Sequence, residues 1–179
     1  MSAGKTARDL ALAALEAGIA LFGRDDVLGA HARFGEAYRR SPQLPRVVSW
    51  YGVTLVLVER NSNLGVALCD QALRAAGPEP ELLLNQARAH LALGQRERAI
   101  RAVQRGLAEW PDDPSLRLAQ EELGRRQRPV LPFLPRANPL NRVLGRMRHR
   151  SRGGGRRGPV TPVTLGRVPE GAPPGRADG

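Results

Sequence analysis

Aromatic residues are scarce: three Phe, two Trp and two Tyr make up 4% of 179 positions. With so few rings, a core must come from Ala, Leu and Val, and such side chains suit helices, whose backbones approach closely over small residues, better than a sandwich or barrel. A single cysteine, Cys69, excludes an intrachain disulfide. No stretch reaches the ~18 uncharged apolar residues that a membrane span requires. The nearest candidate, "LALAALEAGIALFG" from Leu10, is broken by Glu16 and follows no basic leader region, so a cytoplasmic chain is expected. Catalytic groupings are missing too. His31, His90 and His149 are scattered, no short ligand spacing suggests a metal, and no glycine-rich phosphate loop lies between a strand and a helix. These absences predict a non-enzyme with no cofactor, no metal and no small-molecule substrate.

Charge is abundant but uneven. The formal net charge is +11, yet residues 1 to 124 hold 15 Lys and Arg against 15 Asp and Glu, whereas residues 125 to 179 hold 13 Arg against Glu170 and Asp178. The excess lies entirely in the C-terminal part.

Self-similarity organises the N-terminal two thirds. "AGIALFGRDDVLGAHARFGEAYRRSP" (17–42), "YGVTLVLVERNSNLGVALCDQALRAAG" (51–77) and "QARAHLALGQRERAIRAVQRGLAEWP" (86–111) align. Gly18, Gly52 and Ala87 form one small-residue column; Ala30, Gly65 and Ala99 form a second; Ala37, Ala72 and Gly106 form a third. Phe34, Cys69 and Val103 share a column as well, which reads Cys69 as a small buried hydrophobe. The period is 34, with one extra residue assigned to the turn around 59 to 63. This pattern resembles the tetratricopeptide repeat, a helix-turn-helix unit of that period.

The resemblance implies an all-α solenoid of three helix pairs, about 11–44, 45–79 and 80–113, closed by a capping helix at 114–126 within a domain spanning 6–127. Asp113 is an N-cap candidate with Pro114 behind it, and Thr6 with Asp9 spells a capping box. By the same resemblance, the first helix of each pair lines a concave groove. Its candidate partner-binding residues are Leu15, Ile19, Phe22, Arg46, Trp50, Val53, Leu84, Asn85, Arg88 and Leu91, with Trp50 as an anchor and Asn85 bonding a peptide backbone. A family carboxylate clamp has only Asn85, Arg88 and Arg46 to draw on, so an apolar peptide or helix is the expected ligand.

Beyond the repeats, "PVLPFLP" places apolar residues on every edge of a polyproline helix. Within this strip, 128–137, Leu131, Phe133 and Leu134 are expected to dock on the array. Asn138 and Pro139 then start a basic amphipathic helix, 138–150, with Arg142, Arg146, Arg148 and Arg150 as a basic patch. The tail 151–179 has almost no large side chains and is expected to be disordered. The leading expectation is thus a protein-binding scaffold whose partner is unknown. The alternatives are a nucleic-acid- or ribosome-associated factor that touches phosphate through residues 142–157, and a peripheral factor held on an anionic membrane by the basic helix.

Overall fold

The computed structural model describes residues 6–124 and 161–167. The first segment forms seven helices: α1 (Ala7–Gly23), α2 (Val27–Arg40), α3 (Pro45–Val58), α4 (Ser62–Ala76), α5 (Pro80–Ala92), α6 (Arg96–Glu109) and α7 (Pro114–Gly124). Local chemistry sets their starts. The Thr6 hydroxyl accepts from the Asp9 amide while the Asp9 carboxylate accepts from the Thr6 amide, so the capping box satisfies two otherwise orphan donors of α1. Asp26 and Asn61 cap α2 and α4 in the simpler way, accepting from the Gly29 and Leu64 amides. Proline opens α3, α5 and α7, where its fixed φ is an advantage and its missing N–H costs nothing. At α7 the Asp113 carboxylate accepts from the Leu116 amide at 2.8 Å.

Successive helices pack as antiparallel pairs, and each pair stacks on the next: α1 on α2, α3 on α4, α5 on α6, with α2, α3, α4 and α5 joined across the pairs. The small-residue columns show why. A Cβ built on Gly52 would lie 2.6 Å from the Gly65 carbonyl oxygen, and one on Gly65 would lie 2.6 Å from the Gly52 carbonyl oxygen. The backbones of α3 and α4 therefore touch at this point, and no side chain fits between them. Three hydrophobic clusters run along the stack: one around Phe34, Trp50 and Val53, one around Leu55, Leu82 and Leu83, and one around Leu84, Val103 and Leu116. The all-α solenoid of helix pairs is thus the observed architecture.

One detail of the repeat differs from the sequence reading. Each intra-pair turn has three residues, 24–26, 59–61 and 93–95, and the middle residue is left-handed every time: Asp25 at φ 64, Arg60 at φ 58 and Gly94 at φ 71. The extra residue of the second unit is therefore not in its turn. It lies in α3, which runs six residues beyond Gly52 where α1 runs five beyond Gly18. The three-residue turn is thus the same in all three units, and the insertion is taken up by the longer helix.

The tail also differs from its expectation. Residues 161–167 form one tight turn, with the Leu165 amide donating to the Thr161 carbonyl at 3.0 Å, and they belong to the same compact unit as the helices. The rest of 151–179, where disorder is expected, lies outside the described residues. The apolar strip with Leu131, Phe133 and Leu134, and the basic helix with Arg142, Arg146, Arg148 and Arg150, lie outside the described residues.

Candidate functional site

The first helices and α7 present a groove, and the 161–167 turn sits in it. Its own sequence explains its shape. Thr161 and Thr164 cap each other, each hydroxyl accepting from the other's amide at 3.1 and 3.2 Å; Pro162 takes the first helical position, and Gly166 at φ +67 ends the turn in the left-handed region. Read by its caps, "TPVTLG" was visible in the sequence as a single closed turn. Its short length and the glycine-rich surroundings hid it.

Leu165 is fully buried, packed in the cluster that contains Leu84, Ala87, Leu116, Ala119 and Leu123, and Val163 packs against the cluster around Phe22 and Trp50. Burying a leucine in this way is worth roughly 2 kcal/mol. Polar contacts fix the register. Arg88 Nη2 donates to the Leu165 carbonyl at 3.1 Å, the Gly166 amide donates to Glu122 Oε2 at 3.0 Å, and Arg167 Nη2 donates to the Phe22 carbonyl at 3.1 Å with Asp25 Oδ1 3.6 Å away. A Cβ on Gly166 would stand 2.7 Å from the Ser115 carbonyl oxygen. Here the groove comes so close that only glycine fits, independently of the backbone sign.

Arg88 is the centre of the site. It is 7% exposed, and its guanidinium carbon stands 4.9 Å from the Trp50 ring centroid and 5.8 Å from that of Phe22. Burial pulls its pKa down to about 10, opposed by the charges of Glu81 and Glu122, so it remains cationic at neutral pH. Nη1 donates to Asn85 Oδ1 at 2.7 Å, while Asn85 Nδ2 donates to Ser49 Oγ at 3.0 Å. Asn85 therefore positions Arg88, and Arg88 reads the peptide carbonyl, which is the role the sequence reading gave to Asn85. Nε of Arg88 is buried without a hydrogen-bond partner.

Of the ten groove residues read from the sequence, Leu15, Phe22, Trp50, Val53, Leu84, Asn85 and Arg88 are buried, and Ile19, Arg46 and Leu91 are partly exposed. Trp50 is 4% exposed and so is not an open anchor. It stacks on Phe34 at 5.2 Å, meets Phe22 edge-on at 5.1 Å, and donates through Nε1 to Glu81 Oε1 at 2.7 Å. Arg46 is held by Glu81 and Glu16, and hydrogen bonding to Glu81 raises its pKa further. Sequence reasoning missed Asp25 among the groups facing the groove, because it lies in a turn; it also had no reason to look for Leu165, Gly166 and Arg167. Beside Gly166 the groove widens into a cleft of about 580 Å³, with Glu79, Glu81, Asp113 and the half-exposed Trp110 on its walls.

No catalytic arrangement is found among the described residues. His31 bridges Thr54 Oγ1 at 3.0 Å and Glu59 Oε1 at 2.9 Å, an order that resembles a hydroxyl-imidazole-carboxylate relay. Thr54 is fully buried and also bonds the Tyr51 carbonyl, so no substrate reaches its hydroxyl and the set ties α2 to α3. No described group of side chains has the composition of a metal site, and no described helix is long and apolar enough to cross a membrane.

Comparison with known proteins agrees with this geometry. A family model described as tetratricopeptide repeat matches residues 80–123, which span α5, α6 and α7. Residues 80–123 thus match one tetratricopeptide unit and the helix that follows it. Among solved structures, the fold is similar to the first TPR of Spaghetti (RPAP3) bound to the HSP90 peptide SRMEEVD, with a TM-score of 0.52 and 15% identity, over 65% of this chain and 94% of that one. No curated protein matches the chain.

Proposed function

We propose that this tetratricopeptide-repeat domain is a protein-interaction module without catalytic activity, and that its concave groove binds a short apolar peptide segment. One observation carries the reading. The groove holds a seven-residue segment through a buried leucine and through hydrogen bonds to main-chain groups, the two elements by which peptide-binding grooves combine affinity with tolerance of sequence. The solved neighbour is bound to a peptide as well, which supports a peptide as the ligand type. Fold likeness at that identity does not carry the ligand itself, and the side chains argue against the same one. SRMEEVD contains three acidic residues, whereas the groove here meets its occupant with Glu122 and Asp25.

Binding mapped by amide chemical shifts tests the proposal. Addition of an apolar peptide should move signals of Phe22, Leu84, Arg88 and Glu122, on the groove side, and leave those of α2, α4 and α6 unmoved. A map confined to α6, or binding that collapses between ~50 and ~200 mM salt as phosphate contacts do, defeats it.

A further inference from the structure

The groove also states which segment it takes. We infer that it is a receptor for an internal Leu-Gly-Arg segment, that residues 161–167 occupy it as a ligand in cis, and that a partner chain bearing the same three-residue chemistry binds by displacing them. The inference rests on the peptide-binding reading above and specifies its ligand.

Each position of the triplet is read by a different physical constraint. Leucine enters a closed apolar pocket between α5 and α7 and is wholly buried there. Glycine is selected twice, by the left-handed φ of +67 and by the Ser115 carbonyl 2.7 Å from where a Cβ would lie. Arginine reaches the Phe22 carbonyl at the C-terminal end of α1, where the helix dipole favours a cation, with the Asp25 carboxylate beside it. The surrounding charges agree. Glu122 accepts from the backbone, and Glu79, Glu81 and Asp113 line the adjoining cleft, so an acidic peptide meets repulsion and a basic one attraction.

A terminal carboxylate is not required. The group that would hold one, Arg88, is already divided between Asn85 and the Leu165 carbonyl, and the segment continues beyond Arg167. The cis ligand is also an imperfect one, because Arg88 Nε stays buried without an acceptor. An incoming segment that supplies an oxygen there gains over the resident one. The chain between Gly124 and Thr161 acts as the tether. Because the segment is joined covalently to the helices that bind it, its docking is intramolecular, and an incoming chain must displace it.

The probe is a fluorescein-labelled TPVTLGR peptide with blocked ends, titrated by polarisation into the full chain. Because the wild-type groove is already occupied in cis, the Leu165→Asp chain should bind it at least about tenfold more tightly than the wild-type chain does. Replacing the peptide's leucine by aspartate should abolish binding, and replacing its arginine by glutamate should weaken it. Arg167→Glu, which disturbs only the outermost contact, serves as the second variant should Leu165→Asp lose its helical circular dichroism, and should shift affinity the same way by a smaller factor. Equal affinity in wild-type and variant chains overturns the inference, as does a peptide whose leucine is dispensable. If the Leu165→Asp chain binds SRMEEVD and not TPVTLGR, the groove still binds peptides and the Leu-Gly-Arg specificity is wrong; if it binds neither, both readings fall.

Discussion

At the scale of single residues, contact distance decides what a substitution does. Gly52→Ala places a methyl 2.6 Å from a backbone oxygen, which cannot swing aside as a side chain would, and should cost at least about 2 kcal/mol in urea unfolding. Gly35→Ala is the control on α2. Its nearest new contacts are at 3.5 and 3.6 Å, so the better helix propensity of alanine should stabilise the protein by about 0.5 to 1 kcal/mol. Titration follows burial in the same way. Desolvation pushes the Cys69 thiol up to about 12, so it should resist maleimide in the native protein and react at once in denaturing guanidinium. Burial lowers the pKa of His90, against the hydrogen bond that its Nδ1 donates to Gln95 Oε1 and together with the field of Arg98. The unfolded chain therefore takes up that proton first as pH falls through the ordinary histidine range near 6.5. Stability should drop from pH 7.5 towards 5.5, and His90→Gln should reduce the drop. The repeat column that placed Cys69 among core residues was legible in the sequence. The burial of His90 was not, since it arises where α5 meets the neighbouring pair.

At the scale of elements, caps and turns were the most readable features. The Thr6 and Asp113 caps are local hydrogen bonds spanning three residues, and nothing distant is needed to form them. Either one changed to alanine should cost about 1 kcal/mol. The two losses should differ in consequence: Thr6→Ala frays an exposed end of α1, whereas Asp113→Ala loosens α7 and with it the Leu165 pocket. The left-handed middle of each turn was not readable from composition, because the position holds Asp25, Arg60 and Gly94 in turn. Non-glycine residues pay roughly 1 kcal/mol to sit there. Arg60→Gly should therefore be neutral or stabilising in thermal unfolding despite adding backbone entropy to the unfolded state.

At the scale of the whole molecule, one short segment closes a groove built by helices far from it in sequence. Gly166→Ala should eject that segment by combining backbone strain with a clash against the Ser115 carbonyl. Hydrogen exchange at the Leu165 amide would then rise from protected to near the unfolded rate, while protection in the helix pairs stays as it was. Retained protection at Leu165 would mean that the turn is not held by the groove. No pattern in residues 151 to 179 announces this docking, because one leucine among glycines, prolines and arginines carries no periodicity.

By itself the sequence determined the all-α repeat and the start of the principal helices, since these follow from spacing, small-residue columns and caps, all interactions within or between adjacent units. The expectation of a groove on the first helices came from the resemblance to the repeat family, not from spacing. Tertiary structure alone decided what that groove offers. Trp50 became a buried support for Arg88, Asn85 turned from the ligand to its neighbour, and Leu165, Gly166 and Arg167 became the occupants. The reason is physical: helix periodicity tells which face a residue lies on, but the partner that buries it or takes its hydrogen bond is chosen by contacts up to 145 positions away along the chain.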